Sequence, residues 1–340
     1  MKRITGTWFE FTHHNSAEGV YWNPACRAFT EAQWREKLRE IAGLGMKYVV
    51  LMATSLVDED RAEAYFPTDI YPFPENFACQ DPVGVLLSEA DALHLRVFLS
   101  VGYYGPWRRT MENMTNEDVA RRAFRAMEQL CARYASHPSF YGWYYPDETC
   151  IDGSFHPAFL HYCNRYSAFV RMLDPHFRTL IAPYGTNLLH ADDAYVRQLD
   201  ALDVDIIAYQ DEVGVRKSTP EQTGGYFAAL RRAHDRSGRS ALWADMEVFS
   251  FEGEVYRSAL IPADFSRVQR QLAAISDYCD EILCYQYLGL MNRPGTAAFC
   301  GHPDSATLYR AYQSSLNSDE KGDEDPALRK IYQKHRRIRD

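Results

Sequence analysis

Two stretches of the sequence end a run of apolar residues with a pair of carboxylates. One, SFYGWYYPDE, ends in Asp147 and Glu148, and the other, ALWADMEV, contains Asp245 and Glu247. Cleavage of a glycosidic bond needs two carboxyl groups on opposite sides of that bond, one protonated by apolar surroundings and one ionised. The aromatic residues before Glu148 are of the kind that raises a carboxyl pKa. We therefore predict a glycoside hydrolase-like enzyme with Glu148 as general acid/base and Glu247 as nucleophile or general base.

Further polar and aromatic residues lie at or just beyond the ends of the other apolar runs. Carboxylates and amides form the hydrogen bonds that sugar hydroxyl groups need, and aromatic rings stack on the C–H faces of a sugar. This combination indicates a carbohydrate substrate, either an oligosaccharide or a glycoside. The residues predicted to contact it are Glu10, His13, Trp107, Asp147, Tyr184, Asn187, Gln210, Asp211, Asp245 and Gln286.

The elements that must position these residues repeat eight times as an apolar strand followed by a helix. The predicted strands cover residues 4–12, 46–54, 96–104, 139–148, 178–185, 204–210, 241–248 and 281–288. This alternation indicates an α/β fold, a single (β/α)8 TIM barrel with long βα loops over its C-terminal face, where an active site is expected. An open doubly wound sheet is the competing arrangement. The open sheet is disfavoured, because the sequence contains neither of the nucleotide-binding motifs GxGxxG and GxxxxGK[ST].

The longest predicted connection covers residues 55–80 and carries five aromatic residues among prolines and acids. Loops of this length in compact domains are usually functional or disordered, and aromatic content disfavours disorder. We predict a wall or lid over the site, with a structural flap as the alternative. The aromatic residues are Tyr65, Phe66, Tyr71, Phe73 and Phe77.

Composition and charge exclude several classes of partner. The 340 residues carry a formal net charge of −9 with no basic run before the last few residues, which disfavours nucleic acid and anionic membranes. The eight cysteines show no CxxC spacing and are typical of buried free thiols in a reducing compartment. The N-terminus lacks an apolar signal segment, and no window approaches the roughly 20 apolar residues of a membrane span. We predict a cytoplasmic protein without a cofactor, and the oligomeric state stays open.

The absence of a Pro/Gly/Ser linker before residue 317 indicates one domain. We predict a (β/α)8 barrel catalytic domain over residues 1–316 and a separate charged C-terminal segment over residues 317–340, which is dense in acidic and basic residues.

Four motifs in order along the chain carry a resemblance to a known family: GWYYPDE at 142–148, APYG at 182–185, DIIAYQDEVG at 205–214 and LWADMEVF at 242–249. Over residues 4 to about 315 the chain resembles an uncharacterised bacterial family of domains of unknown function, regarded as glycoside-hydrolase-like barrels. In outline it is also similar to clan A retaining glycosidases. That similarity implies an acid/base glutamate after strand four, Glu148, and a nucleophile on strand seven, Glu247. Asp147 departs from it, because that clan usually has asparagine at this position.

Two other functions are compatible with the same residues. One is a non-catalytic carbohydrate-binding barrel, which the presence of both acids disfavours. The other is a metal-dependent barrel of the sugar isomerase or epimerase type, although no local spacing demands a metal site and none is predicted. Its ligands would come from His13, His14, Glu148, Asp211, Asp245 and Glu247. The sugar, the linkage, retention or inversion, and endo or exo action do not follow from the sequence.

Overall fold

Eight parallel strands close into a barrel in the computed structural model, which describes residues 1–323 of the chain. We number these strands β1 to β8 in chain order. Each pairs with the strand before and after it, and β8 pairs with β1. The predicted (β/α)8 fold is confirmed. The strands are Gly6–Phe9, Tyr48–Leu51, Arg96–Ser100, Phe140–Tyr145, Arg178–Ile181, Ile206–Gln210, Ala241–Glu247 and Glu281–Tyr285.

Helices connect the strands and cover the outside of the barrel. Side-chain caps fix the starts of several of them, including capping boxes in which Thr30 pairs with Gln33 and Thr219 pairs with Gln222. The helices α1 to α10 are Asn23–Ala28, Glu31–Gly43, Pro82–Ala92, Thr110–Thr115, Glu117–Tyr134, Pro157–Leu173, Asp193–Ala201, Pro220–Ser237, Phe265–Ile275 and Ser305–Asp323.

Side chains fill the interior of the barrel, so it is a packed core and not a channel. Strands that are buried on both faces read as continuous apolar runs, because alternate residues point inward and outward. The outward residues pack against the helices in a second, larger cluster. The interior residues include Trp8, Val50, Phe98, Tyr144, Leu180, Ala208, Trp243 and Leu283. A ligand therefore cannot bind inside the barrel, and an active site can lie only at an end of it.

Two antiparallel hairpins are inserted between barrel elements. The first pairs Ser55–Asp58 with Arg61–Ala64 after β2, and the second pairs Phe249–Phe251 with Leu260–Pro262 after β7. Only the second hairpin reaches the candidate site, because it begins two residues beyond the end of β7.

The segment 55–80 belongs to the outer core. Tyr65 and Phe77 are buried, and their rings lie 5.6 and 6.3 Å from the ring of Phe11. Phe77 also stacks on Trp34 of α2. All 26 residues of the segment are described by the structure, and none lines the cavity described below. The prediction of a wall or lid is wrong, because these aromatic rings have apolar partners beside β1 and α2, where their burial is more favourable than over a polar cavity.

The predictions about thiols, membrane spans and domains have different outcomes. All eight cysteines lie in the described part of the chain and are free thiols. Within residues 1–323, no helix is long and apolar enough to cross a bilayer. The predicted boundary between residues 316 and 317 falls inside α10, which ends at Asp323. Residues 324–340 lie outside the described residues, so the division into 1–316 and 317–340 stays a prediction.

Candidate active site

A cavity of about 500 Å³ opens where the barrel strands end, and acids and aromatic rings form most of its wall. Seven of the eight strands contribute a residue at or just after their C-terminal end, from Met52 after β2 to Tyr285 at the end of β8. This location matches the expectation for a (β/α)8 barrel. The acids on the wall are Glu18, Glu148, Glu212, Asp245 and Glu247, and the aromatic residues are Tyr103, Trp107, Tyr184, Phe249, Phe251, Tyr256 and Tyr285.

Glu148 follows β4 and reaches the cavity with both carboxylate oxygens hydrogen-bonded. The hydroxyl of Tyr144 donates to Oε1 at 2.6 Å, and the side-chain amide of Gln210 donates to Oε2 at 2.7 Å. Burial raises the pKa of Glu148 to about 7, against the opposing effect of these two hydrogen bonds. The carboxyl group therefore changes its protonation state close to neutral pH, as a general acid/base requires.

Glu247 ends β7 and lies on the same cavity wall. Its Oε2 accepts a hydrogen bond from the backbone N–H of Val215 at 2.9 Å. The preceding Gly214 permits this approach, since a Cβ at that position would lie 2.9 Å from Oε2 of Glu247 and 2.8 Å from the backbone oxygen of Phe249. Burial, and after it the negative charge of Asp211, raises the pKa of Glu247 to about 8.

Asp211 lies behind Glu247 and not on the cavity wall. Its carboxylate accepts hydrogen bonds from the side chain of Gln271 on α9 at 2.6 Å and from the backbone N–H of Glu247 at 3.1 Å. Burial raises the pKa of Asp211 to about 6 in spite of these bonds. Asp211 therefore fixes the end of β7 and adds a negative charge next to Glu247.

Asp245 lies two residues before Glu247, so both side chains point to the same face of β7. It lines the cavity, is only 3% exposed, and its Oδ1 has no hydrogen-bond partner in the part of the chain that the structure describes. Burial, and after it the charges of Glu148 and Glu247, raises the pKa of Asp245 well above its usual value. The charges of these three acids therefore interact within one cavity.

A paired cation lies on the wall between β5 and β6. Lys217 donates to Oε1 of Glu212 at 3.0 Å, and its ammonium group lies 4.9 Å from the centre of the Tyr184 ring. Oε2 of the same glutamate accepts from the backbone N–H of Gly185 at 2.8 Å. The charge of Lys217 is therefore largely balanced by Glu212.

A buried His13 lies between two carboxylates at the end of β1. Its Nδ1 is 2.9 Å from Glu10, and its Nε2 is 3.0 Å from Glu18. Burial alone would lower the pKa of His13, but the hydrogen bonds and charges of these two acids raise it to about 10. His13 is therefore an imidazolium flanked by two carboxylates. Trp22 and Gln286 complete the shell by donating to Glu10 at 2.8 and 2.7 Å.

The neighbouring His14 is neutral and lines the cavity. Its ring lies 4.5 Å from that of Trp107, and the guanidinium of Arg108 lies 4.1 Å above the same indole at the exposed rim. Burial, and then the positive charge of His13, lowers the pKa of His14 to about 4. Nδ1 of His14 has no hydrogen-bond partner within residues 1–323.

Side chains of Glu10, His13 and His14 bring three possible metal-ligand atoms within 4.8 Å of one another. Both ring nitrogens of His13 already contact carboxylates, and the ring carries a proton on each at neutral pH. A metal ligand must be a neutral imidazole with a free nitrogen. His13 therefore fits a hydrogen-bonded ion triad with Glu10 and Glu18 better than it fits a metal site with Glu10 and His14.

The structure brings half of the predicted site residues to the cavity. Glu148, Glu247, Trp107, Tyr184, Gln210 and Asp245 lie on its wall. The other six are the predicted contacts Glu10, His13, Asp147, Asn187, Asp211 and Gln286, and none of them is on the wall. Glu10, His13 and Gln286 form the buried shell at β1 and β8, and Asn187 is in a short 3-10 helix, Thr186–Leu188. Asp147 points away from the cavity and accepts from Asn113 at 3.1 Å.

Several wall residues escaped the sequence reasoning. Glu18, Arg108 and Lys217 lie in loops whose paths depend on tertiary packing. The position of Tyr285 in the sequence could have indicated a place on the wall, because it ends the eighth strand one residue before the predicted Gln286. Phe249 ends the motif LWADMEVF, which contains Glu247, but an aromatic residue after a strand is more often part of the core.

The chain matches a family model over residues 4–298, and the family is described as a domain of unknown function, DUF4434. The chain belongs to this family. The match confirms the resemblance that the four motifs indicated. No protein in the curated set matches the chain.

Solved structures similar to the chain are glycoside hydrolase barrels. One is a candidate alpha-L-fucosidase from Bacteroides thetaiotaomicron, with a TM-score of 0.73 and 15% identity over 92% of each chain. An endo-beta-1,4-mannanase from Thermotoga petrophila has a TM-score of 0.60 and 10% identity over 94% of this chain and 77% of that one. An endo-1,4-beta-mannanase from Rhizomucor miehei has a TM-score of 0.57 and 10% identity over 93% and 95%. At these identities the likeness establishes the fold.

Proposed function

We propose that the protein is a glycosidase that acts on a glycoside or oligosaccharide, with Glu148 as general acid/base and Glu247 as nucleophile or general base. The observation that carries this proposal is the presence of both glutamates, delivered by β4 and β7, on one cavity rich in aromatic rings. The similar structures support it, since their names describe mannanases and a candidate fucosidase.

In the proposed reaction, Glu148 donates its proton to the glycosidic oxygen as the bond to the anomeric carbon breaks. The Tyr144 hydroxyl can reverse its hydrogen bond when Glu148 carries this proton, because a hydroxyl both donates and accepts. Ionised Glu247 either attacks the anomeric carbon or removes a proton from the attacking water. The Val215 N–H stabilises the negative charge of Glu247 in both cases.

Turnover of a panel of aryl glycosides by the parent protein and two variants tests the proposal. Glu148→Gln and Glu247→Gln should each reduce kcat by about 10³-fold while binding of the substrate persists. On substrates with a strongly acidic phenol as leaving group, Glu148→Gln should lose far less, because that group needs no proton. Glu247→Gln should lose equally on both substrate types.

Asp147→Asn is the matched control, because it changes the neighbouring acid and keeps an oxygen that can accept from Asn113. It should retain kcat within a few-fold. Binding of a glycan without turnover by the parent protein would instead identify a carbohydrate-binding barrel. Equal loss in all three variants would show that neither glutamate has the proposed role.

A further inference from the structure

The geometry points to Asp245 as the residue that selects the substrate: its carboxylate binds a protonated amino group, so the sugar in the cavity is an amino sugar. This inference deepens the proposed function and rests on it. It names a substrate class and assigns a specificity role to an acid that neither step of the proposed reaction uses.

The first observation is the unfilled hydrogen-bonding capacity of Asp245. Only 3% of the residue is exposed, and it lines the cavity. Its Oδ1 has no hydrogen-bond partner among residues 1–323. A buried polar atom without a partner is unfavourable, and nearly all such atoms in folded proteins are hydrogen-bonded. A donor on a bound ligand would satisfy this oxygen, and a charged donor would do so most strongly.

The second observation is the sign of the charge around Asp245. The acids that face it are Glu148 from the loop after β4, Glu247 from its own strand and Asp211 from the end of β6. Tyr144 and Cys284 are its titratable neighbours from β4 and β8. No Lys, Arg or His of the described chain forms an ion pair with Asp245. An ammonium group bound beside Asp245 would supply this absent cation and favour the ionised form of its carboxyl group.

The cations near the cavity are already engaged or lie at its edge. Lys217 pairs with Glu212, and His13 pairs with Glu10 and Glu18. Arg108 is exposed and lies over the Trp107 ring at the rim. A ligand carboxylate beside Asp245 would therefore add one more negative charge to this side of the cavity, whereas an ammonium group would be attracted to it.

Aromatic rings on the same wall favour a cation further. Tyr285 of β8 lies opposite Glu247 of β7 in the strand register. The ring of Phe249 packs against the ring of Tyr285, with their centres 6.0 Å apart. Both line the cavity. An ammonium group within about 6 Å of such ring faces gains a cation–π attraction that a neutral hydroxyl or an N-acetyl group lacks.

Calorimetric titration of the whole chain with free monosaccharides at about pH 7 tests the inference without turnover. The probes are a hexosamine, its N-acetyl derivative, the neutral parent hexose and the matching uronate, for the gluco, galacto and manno series. At least one hexosamine should bind about tenfold more tightly than its three counterparts. Asp245→Asn and Asp245→Ser should both abolish this preference, and thermal melting should show that both variants fold.

Glu59→Gln is the control, because Glu59 is an exposed acid of the hairpin after β2 and is remote from the cavity wall. It should keep the full preference. The inference is overturned if the uronate or the neutral hexose binds as well as the hexosamine, if no hexosamine binds, or if both Asp245 variants keep the preference. These outcomes are independent of turnover. A glycosidase without amino-sugar selectivity would turn over a glycoside but show no hexosamine preference, whereas an amino-sugar binder that is not an enzyme would show the preference without turnover.

Discussion

The two proposed catalytic glutamates differ in what surrounds each carboxyl group. Glu148 has a neutral hydroxyl and a neutral amide as partners, and its pKa is about 7. Glu247 has the charged Asp211 behind it, and its pKa is about 8. Because the pKa of Glu247 is the higher one, a single proton on the pair resides mainly on Glu247. The productive form, with the proton on Glu148, is the smaller part of this one-proton population, which is largest between the two pKa values.

This difference predicts a narrow pH optimum. The kcat/KM of a suitable aryl glycoside should rise as the first acid of the pair ionises near pH 7 and fall as the second ionises near pH 8, with a maximum at about pH 7.5. Initial rates between about pH 5 and pH 10 check this. A rate that is flat across this range would contradict the assignment of both glutamates to proton transfer.

Side-chain direction explains which residues could be assigned from sequence. Glu148, Asp245 and Glu247 were predictable, because acids at the ends of strands in a parallel barrel converge on one face. Asp147 and Asp211 were assigned to the same face, but neighbouring residues at a strand end point to opposite sides. Partners far away in the chain, Asn113 and Gln271, hold them there, and no local pattern shows such pairings.

Helix α9 holds the end of β7 and the hairpin that follows it. Arg267 of α9 donates to the backbone oxygen of Glu247 at 2.8 Å and to that of Phe249 at 2.6 Å. A third bond joins it to the side chain of Ser250 at 3.1 Å. Orientation of Glu247 therefore depends on a helix whose own residues do not line the cavity.

Arg267→Met should lower kcat about tenfold or more and reduce the free energy of unfolding by about 2–3 kcal/mol, because buried carbonyl groups lose a charged donor. Chemical denaturation and steady-state kinetics check both effects. Arg270→Met is the matched control on the same helix, since Arg270 is exposed and, within residues 1–323, bonds to Ser266 and Glu221 at the surface. Equal effects of the two substitutions would show that α9 acts through general stability alone.

Elements with regular patterns were predictable, and inserted ones were not. The eight strands are predictable because their apolar runs are continuous, and the capping box of Thr30 and Gln33 indicates where α2 begins. The sequence predicts a long connection and no strands where the hairpin Ser55–Asp58 and Arg61–Ala64 lies, because these strands are short and carry charged residues. Its aromatic continuation was assigned to the cavity, since composition alone does not distinguish an apolar partner on α2 from a ligand.

Burial of titratable groups couples the folding of the protein to pH. The folded state holds protons on Glu247 up to about pH 8 and on His13 up to about pH 10. In the unfolded chain these groups lose their protons near their ordinary values of about 4.3 and 6.5. Above pH 7 the folded state therefore binds more protons than the unfolded state, and its stability falls as pH rises.

We expect the free energy of unfolding to decrease by roughly 2–4 kcal/mol between pH 7 and pH 9. Urea denaturation at a series of pH values checks this. Glu247→Gln should be more stable than the parent at pH 9, because it removes a buried carboxylate that repels Asp211, and its stability should depend less on pH between 7 and 8. A parent stability that is constant or rises over this range would contradict the protonated state of His13.

The hairpin after β2 has one practical consequence for experiments. Glu59 and Asp60 form its exposed tip, while the aromatic residues behind it anchor the segment against the shell of the barrel and away from the cavity. A fluorophore, an affinity tag or a surface linker attached at this tip would report on or immobilise the protein without obstructing ligand entry.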